Sequence, residues 1–265
     1  MKIATWNVNS INARLPRILA WFDDAKPDVC VLQEIKCVDE KFPYAAFEER
    51  GYNAEVYGQK TYNGVALLSK APLSDVVKGL PGFEDENSRY IEAVISPDNA
   101  APIRIGGLYL PNGNPAPGPK YDYKLAWLEA FEAHMREQLA FEEAALFLGD
   151  YNVIPEPEGV YNPKGWKDDA LFRLESRQAF RRLLNLGLTD SLWQLKGGEP
   201  FYTFWDYQGG AWNKDHGLRI DHVLATPQAA DRLISGGIDK DARDPTIGSS
   251  DAKPSDHVPV WVEIE

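Results

Sequence analysis

The chain predicts a mixed, largely antiparallel α/β sandwich. Strand patterns lie at both ends of the chain, most of them fall in hairpin-like neighbours, and helical patterns are interspersed in pairs rather than placed after every strand. A doubly wound, dinucleotide-binding sheet has no support, because no Gly-x-Gly-x-x-Gly follows the first strand.

Residues 2–8 read as a strand ending in Asn7-Val8-Asn9-Ser10. Ser10 or Asn12 can cap the helix that follows, where Leu15, Ile18, Leu19 and Phe22 recur at helical spacing. Pro27-Asp28 closes that unit, and Val29-Cys30-Val31-Leu32 forms a second buried strand running into Gln33-Glu34. Residues 42–50 are a short helix candidate. Residues 53–58 and 65–69 pair about Asn63-Gly64, a strong turn signal. Residues 90–95 and 103–110 form another pair, joined by turn-rich residues 96–102 and leaving into Pro111-Asn112-Gly113-Asn114. Residues 121–139 are the longest helix, with Leu125, Leu128, Phe131 and Met135 on its apolar face.

The apolar run Ala145-Leu146-Phe147-Leu148 has the length of a buried strand and stops abruptly at Gly149-Asp150-Tyr151-Asn152. Asp150 and Asn152 are two apart, so on an extended chain they share a side; the alternative is an Asx turn that closes the strand. Residues 155–169 are a polar loop with three prolines, of a length usually functional or mobile. A helix over 171–186, strands over 201–207 and 218–225 flanking loop 208–217, and a short helix over 228–234 follow. Pro254-Ser255-Asp256-His257 then precedes a final strand over 258–264. No repeat, low-complexity tract or linker interrupts the 265 residues, so one catalytic domain over 1–265 is expected.

Hydrophobic residues make up 44%, an ordinary globular composition. The 12% aromatic content, with 8 Trp, is rich enough to place some rings at a working surface. A net charge of −12 argues against a protein that coats nucleic acid electrostatically, but not against an enzyme with a local basic rim and a bound metal. Cys30 and Cys37 have no Cys-x-x-Cys spacing and are expected as reduced thiols. The chain opens directly on a strand pattern, and no apolar run approaches the ~20 residues of a membrane span. A soluble, cytoplasmic protein without membrane contact is the expectation.

Several strands end in a residue suited to a metal–phosphate site: Asn7, Glu34, Tyr109, Asp150 with Asn152, Asp221, and Asp256 with His257. Each alone has an ordinary reading. Asn7 can cap a turn, Glu34 can be a solvated carboxylate, Tyr109 a core ring, Asp221 a partner of Arg219, and Asp256-His257 a turn. Together they supply acceptors for a hard cation, a water-activating carboxylate, a His–Asp pair and neutral donors for phosphate oxygens.

The motifs Trp6-Asn7-Val8-Asn9, Leu32-Gln33-Glu34, Tyr109-Leu110-Pro111-Asn112, Gly149-Asp150-Tyr151-Asn152, Arg219-Ile220-Asp221 and Ser255-Asp256-His257, in that order, resemble the exonuclease III family of abasic-site endonucleases. That family lies within the endonuclease/exonuclease/phosphatase superfamily, and the resemblance spans essentially the whole chain. It implies a four-layer αββα sandwich: two mixed, largely antiparallel sheets flanked by helices, with a site at one edge of the sheets. It also implies hydrolysis of DNA phosphodiesters dependent on Mg²⁺ or Mn²⁺, one ion or two, with no nucleotide cofactor. Cleavage 5′ to an abasic site would leave a 3′-hydroxyl, with trimming of 3′ ends and removal of 3′-phosphates on duplex DNA. The implied partner is double-stranded DNA with abasic sites or blocked or recessed 3′ ends, met by a monomer.

Carried over by position, Glu34 looks like the main metal carboxylate, with Asn7 beside it, and Asp150, Asn152, Asp256 and His257 complete the metal-side set. Asp150 would deprotonate water. Asn152 would hydrogen-bond the phosphate, His257 would donate to a phosphate oxygen with Asp221 fixing its tautomer, and Tyr109 would contact the phosphate or assist the leaving group. Asn9 stands where some relatives carry aspartate, which weakens any metal role there. Phe204, Leu218 and Ile220 resemble the lining of a pocket for a baseless sugar, and Trp205 and Trp212 can wall it or stack on DNA; sheet core is the competing reading for Phe204 and Ile220. Arg89, Asn112, Lys120, Lys124, Lys164 and Lys167 are candidates for a phosphate-contacting rim. Two other readings remain at this stage: a 3′-end-processing enzyme with little abasic-site activity, and a phosphatase or phosphodiesterase of a small or lipid substrate.

Overall fold

The structure, a computed structural model, describes residues 1–98, 100–247 and 252–265. In chain order the elements are β1 (Lys2–Asn7), α1 (Ile11–Ala25), β2 (Val29–Gln33), α2 (Tyr44–Glu48), β3 (Asn53–Tyr57), β4 (Val65–Ser69), β5 (Leu73–Lys78), β6 (Tyr90–Ile95), β7 (Ile103–Tyr109), α3 (Pro119–Ala140) and β8 (Ala145–Asp150). They continue as α4 (Pro163–Trp166), α5 (Leu174–Asn185), β9 (Thr189–Asp190), α6 (Ser191–Leu195), β10 (Asp221–Ala225), α7 (Pro227–Ala230), β11 (Leu233–Ile238) and β12 (Val260–Ile264).

Two mixed six-stranded sheets result, ordered β11-β12-β1-β2-β4-β3 and β5-β6-β7-β8-β10-β9. Each has one parallel pair at its centre, β1 with β2 and β7 with β8; the other pairings are antiparallel. Strand alternation sorts the apolar residues into three layers. Ile3, Val29, Val31, Ile105, Leu146, Leu148, Val223 and Val260 meet between the sheets. Trp6, Ile18, Phe22, Leu32 and Phe47 fill the space under α1 and α2. Trp127, Phe131, Phe147, Phe180 and Leu183 fill the space under α3 and α5. The four-layer sandwich expected from the sequence is the one observed.

The register decides where the polar strand ends point. Asn7 continues the inter-sheet face set by Ile3, and Tyr109 the face set by Ile105. Asp150 follows Leu146 and Leu148, and Asp221 precedes Val223. Asn7 lies opposite Gln33 in one parallel pair and Tyr109 opposite Asp150 in the other. Both central pairs therefore deliver their carboxyl ends to one edge of the sandwich.

Several elements differ from expectation. Residues 201–207 form no strand: Phe204 makes single bridges to Leu218 and His257, and Trp205 N–H donates to Asp256 O, so the segment is pinned to two neighbours in turn. Strand β10 accordingly starts at Asp221 rather than 218. The helix expected over 228–234 is one turn, because Leu233–Ile238 pairs with β12. Helix α5 starts at Leu174, since the Asp169 carboxylate and carbonyl hold Leu171 and Phe172 outside it. Strand β5, beyond the elements the sequence pattern predicts, is a half-exposed edge with a register shift. Among the described residues no helix is long and apolar enough to cross a membrane.

Gly107 faces Val31 across the inter-sheet layer, and a Cβ there would lie 2.3 Å from Val31 Cγ1. Gly107→Ala is expected to cost about 1–3 kcal/mol through overpacking, read as a lower urea midpoint at unchanged slope.

Candidate active site

Asn7, wholly buried, organises the centre. Its Nδ2 donates to Glu34 Oε1 (2.9 Å) and Asp150 Oδ2 (2.9 Å), while its Oδ1 accepts from Asn9 N–H (3.0 Å). Its Nδ2 faces the two carboxylates and its Oδ1 faces the Asn9 N–H. Glu34 has a left-handed backbone (φ 49°) just past β2. That conformation turns its carboxylate in beside Asn7.

Asp150 is 1% exposed, with its Oδ2 between Asn7 and His257 Nε2, the latter at 3.7 Å. On its other side Oδ1 accepts from Asn152 N–H (2.9 Å). The Asx turn is thus real, and it serves the site by orienting Asp150. Asn152, left-handed at φ 47°, donates through Nδ2 to Leu110 O (2.9 Å) and accepts at Oδ1 from Asn112 (3.2 Å).

His257 Nδ1 donates to Asp221 Oδ2 (2.9 Å). Thr203 Oγ1 accepts from the N–H groups of Ile220 and Asp221, fixing the start of β10. Ligand atoms of Asp150, Asp221 and His257 lie within 4.8 Å of one another. Burial disfavours charge on His257, but Asp221 and Asp150 outweigh it and raise the imidazole well above its ordinary value. With its Nδ1 on Asp221 and its Nε2 facing Asp150, His257 offers either a donor N–H or, together with those two carboxylates, a metal-ligating group. Burial, followed by the Asp221 charge, pushes Asp150 above the usual carboxylate range, against the pull of His257 and Asn7.

Asp150, Asp221 and His257 form a group that could hold a metal ion, and Glu34 joins it through the Asn7 amide that it shares with Asp150. Burial raises Glu34, but Lys36, Asn7 and His257 together hold it below its ordinary value. Lys36 is the residue that sequence reasoning missed. Its Nζ sits 2.8 Å from Glu34 Oε2 and donates to Asn9 Oδ1 (2.6 Å). Asn9 in turn donates to Asp256 Oδ1 (3.0 Å), so Asp256 connects to Glu34 through Asn9 and Lys36. Its position two residues past Glu34 was the available signal.

Tyr109 faces Glu34 and Asp150; burial, then those two carboxylates, raises its phenol far above its ordinary value, with Arg89 opposing. Arg89 lies 5.0 Å from the Tyr109 ring centroid and donates to Tyr109 O (3.1 Å) and Tyr123 Oη (3.2 Å). Phe204 packs edge-on to His257 (4.9 Å). With Leu218, Tyr161, Trp166 and His216 it lines a cleft of about 320 Å³. Lys120, Lys164 and Lys167 are exposed, and so is Asn112.

Three of the expected DNA contacts, Lys124, Trp205 and Ile220, are buried. Lys124 has no exposure, and burial lowers its ammonium to about 7 against the opposing pull of Asp150 and Asp169. Trp205 is core, donating through Nε1 to Asp215 (3.0 Å). Ile220 packs with Ile154 and Leu171 in a buried cluster. Trp212, half-buried, lines a cleft with Tyr207 and Arg243 that shares Asp206 and Ala211 with the cleft beside Phe204. Arg219 pairs with Asp190 (2.7 Å) and Glu156 (2.5 Å), leaving Asp221 to His257.

Residues 4–257 match the Endonuclease/Exonuclease/phosphatase family. The chain is 33% identical over 277 residues to exodeoxyribonuclease III of Haemophilus influenzae, covering 100% of both chains. It aligns with the structure of the 3′ phosphatase NExo from Neisseria bound to a product DNA hairpin at a TM-score of 0.92 and 38% identity, over 100% of this chain and 99% of that one. An AP endonuclease from Archaeoglobus fulgidus gives a TM-score of 0.91 and 36% identity at the same coverage. With the strand-end motifs gathered at one sheet edge and these likenesses running the full length, the chain belongs to the endonuclease/exonuclease/phosphatase family, in its exonuclease III branch.

Proposed function

We propose that this chain, acting as a monomer with one catalytic domain, is a DNA repair nuclease. It hydrolyses the phosphodiester 5′ to an abasic site, leaving a 3′-hydroxyl, and trims or dephosphorylates 3′ ends of duplex DNA. The observation that carries this reading is the buried Asp150 carboxylate held between the Asn7 amide and the His257 imidazolium, at the edge where Glu34 also arrives.

Asp150 takes a proton from the attacking water as the new oxygen–phosphorus bond forms. Asn152 N–H and Asn7 Nδ2 keep that carboxylate oriented. His257, charged and braced by Asp221, donates from Nε2 to a non-bridging phosphate oxygen and offsets the charge that grows there. Tyr109 presents its hydroxyl beside the departing 3′-oxygen, which leaves as the phosphorus–oxygen bond breaks and takes a proton from solvent to end as the 3′-hydroxyl. A Mg²⁺ or Mn²⁺ ion held by Glu34 with Asp150, and a second near Asp256, would neutralise the phosphate and the leaving oxygen. Arg89, Lys120, Lys164 and Lys167 form the phosphate-contacting rim of a protein with net charge −12, so affinity for DNA falls steeply with salt.

One observation favours a narrower activity. Tyr161 stacks on His216 at 4.2 Å and 5° beside Phe204, joining loops 155–169 and 208–217 across the cleft. A cleft closed that way would favour 3′-end processing over abasic-site cleavage. Two labelled duplexes separate the readings, one with an internal abasic analogue and one with a 3′-phosphate, each with Mg²⁺ and with EDTA. Metal-dependent incision at the abasic site establishes the endonuclease, and action on the 3′ end alone establishes the end-processing enzyme. Inactivity of folded, Mg²⁺-supplied protein on both overturns the DNA reading in favour of a small or lipid phosphoester.

Asp150→Asn is expected to lower the single-turnover rate by roughly 10²–10⁴-fold, the scale for losing a positioned general base; near-normal turnover would remove Asp150 from that role. The pH profile tests His257. Its raised pKa means the donor form is complete below that value and lost above it. Asp221→Asn removes the largest raising charge, so the alkaline limb of kcat/KM should move to lower pH. An unmoved limb would exclude His257 as the donor.

A further inference from the structure

Lys124 lies near the start of α3 with no exposed surface. Its Nζ donates to Asn112 O (3.1 Å) and to Asn152 O (2.5 Å). These carbonyls belong to two different loops. Asn112 follows β7, which ends at Tyr109, and Asn152 follows β8, which ends at Asp150. The loops also touch directly, through Asn112 Nδ2 on Asn152 Oδ1 and Asn152 Nδ2 on Leu110 O. The ammonium grips both from the side of α3. The lysine stem leaves no free space there: a Cβ on Gly113 would lie 2.7 Å from Lys124 Cδ, and Gly113 itself is at φ +89°.

Two features argue for a role beyond packing. A buried ammonium is costly unless its hydrogen bonds return something, and an apolar side chain of equal length would fill the same space more cheaply. The residue it holds, Asn152, has a left-handed backbone, a conformation open to asparagine, and its N–H sets the Asp150 carboxylate, so the position of that backbone decides where the carboxylate points.

We propose that Lys124 is a positioning residue for the hydrolytic step: by clamping the Asn112 and Asn152 carbonyls it holds the Asn152 N–H on Asp150, and so aims the general base. This rests on the assignment of Asp150 as that base. The clamp is buried, so Lys124 contributes nothing to the phosphate rim. Lys120, one helical turn earlier on α3 and exposed, is the contrasting rim lysine.

The test compares wild type, Lys124→Met, Lys124→Arg and Lys120→Met for single-turnover rate and for DNA affinity across a salt series, on whichever duplex the wild type cleaves. Lys124→Met should lose about 10–100-fold in rate, the scale of a small misplacement of a reacting group, with affinity and salt slope as in wild type. Lys124→Arg, which keeps the donors, should recover most of that loss. Lys120→Met should instead weaken binding and flatten the salt slope. In an Asp150→Asn background, Lys124→Met should cost little more, because both changes act on one group. Should Lys124→Met not fold, Lys124→Gln, which removes the charge and places a shorter amide there, is read by the same criteria. Full rate in a folded Lys124 variant, loss expressed as affinity with a flatter salt slope, or full additivity with Asp150→Asn overturns the proposal. An inactive wild type would overturn the nuclease reading itself, and the clamp with it, so the two failures are told apart.

Discussion

Strand register is the constraint on which the rest of this molecule depends. In each sheet the central pair is parallel, so two strand ends leave together, and the two sheets stack with those ends at one edge. The side-chain period of two then does the sorting: the face that carries Ile3, Leu146, Leu148, Ile105 and Val223 inside the sandwich carries Asn7, Asp150, Tyr109 and Asp221 at its rim. A slip of one residue in β8 would bury Gly149 there and turn Asp150 toward α3. Core and site are thus one periodic pattern, apolar until the strand emerges and polar afterwards.

The polar cluster at that rim stands because its charges are mutually satisfied. Asp150, Asp221 and His257 are almost wholly buried, and each isolated charge would be costly there. The imidazolium between two carboxylates offsets that cost, while burial and the Asp221 charge still leave Asp150 with a raised proton affinity, the property wanted of a base near neutrality. Asn7 bridges Asp150 to Glu34, and Lys36 continues the alternation of sign through Asn9 toward Asp256. A second buried network supports the outer wall: Arg219, stacked near Trp193, ties Asp190 to Glu156 and so anchors loop 155–169.

The parts of this that are legible in the sequence are those encoded by local periodicity. Apolar runs with abrupt polar ends marked β1, β2, β7 and β8 together with Asn7, Glu34, Tyr109 and Asp150. The residues 201–220 were harder, because Phe204 and Leu218 bond in single bridges that leave no alternating pattern. Strand β5 was hidden by its half-exposed edge, and β11 by a preceding one-turn helix whose apolar spacing ran on. Lysine is the type least informative from sequence: Lys120, Lys124 and Lys36 read alike, yet one is exposed, one is sealed under two loops and one rests on Glu34.

By itself the sequence determined the class of fold, the strand ends that carry chemistry and the family to which they belong, since each is written in spacings of a few residues. Only the tertiary structure decided which way those groups face and which partners they take. Asn7 turns its nitrogen rather than its oxygen to the carboxylates, His257 is held between Asp150 and Asp221, and Arg219 goes to Asp190 and Glu156. Trp205 and Lys124 leave the surface altogether. Those outcomes depend on contacts between residues tens to hundreds of positions apart, and on the free energy of burying charge, neither of which a local pattern contains.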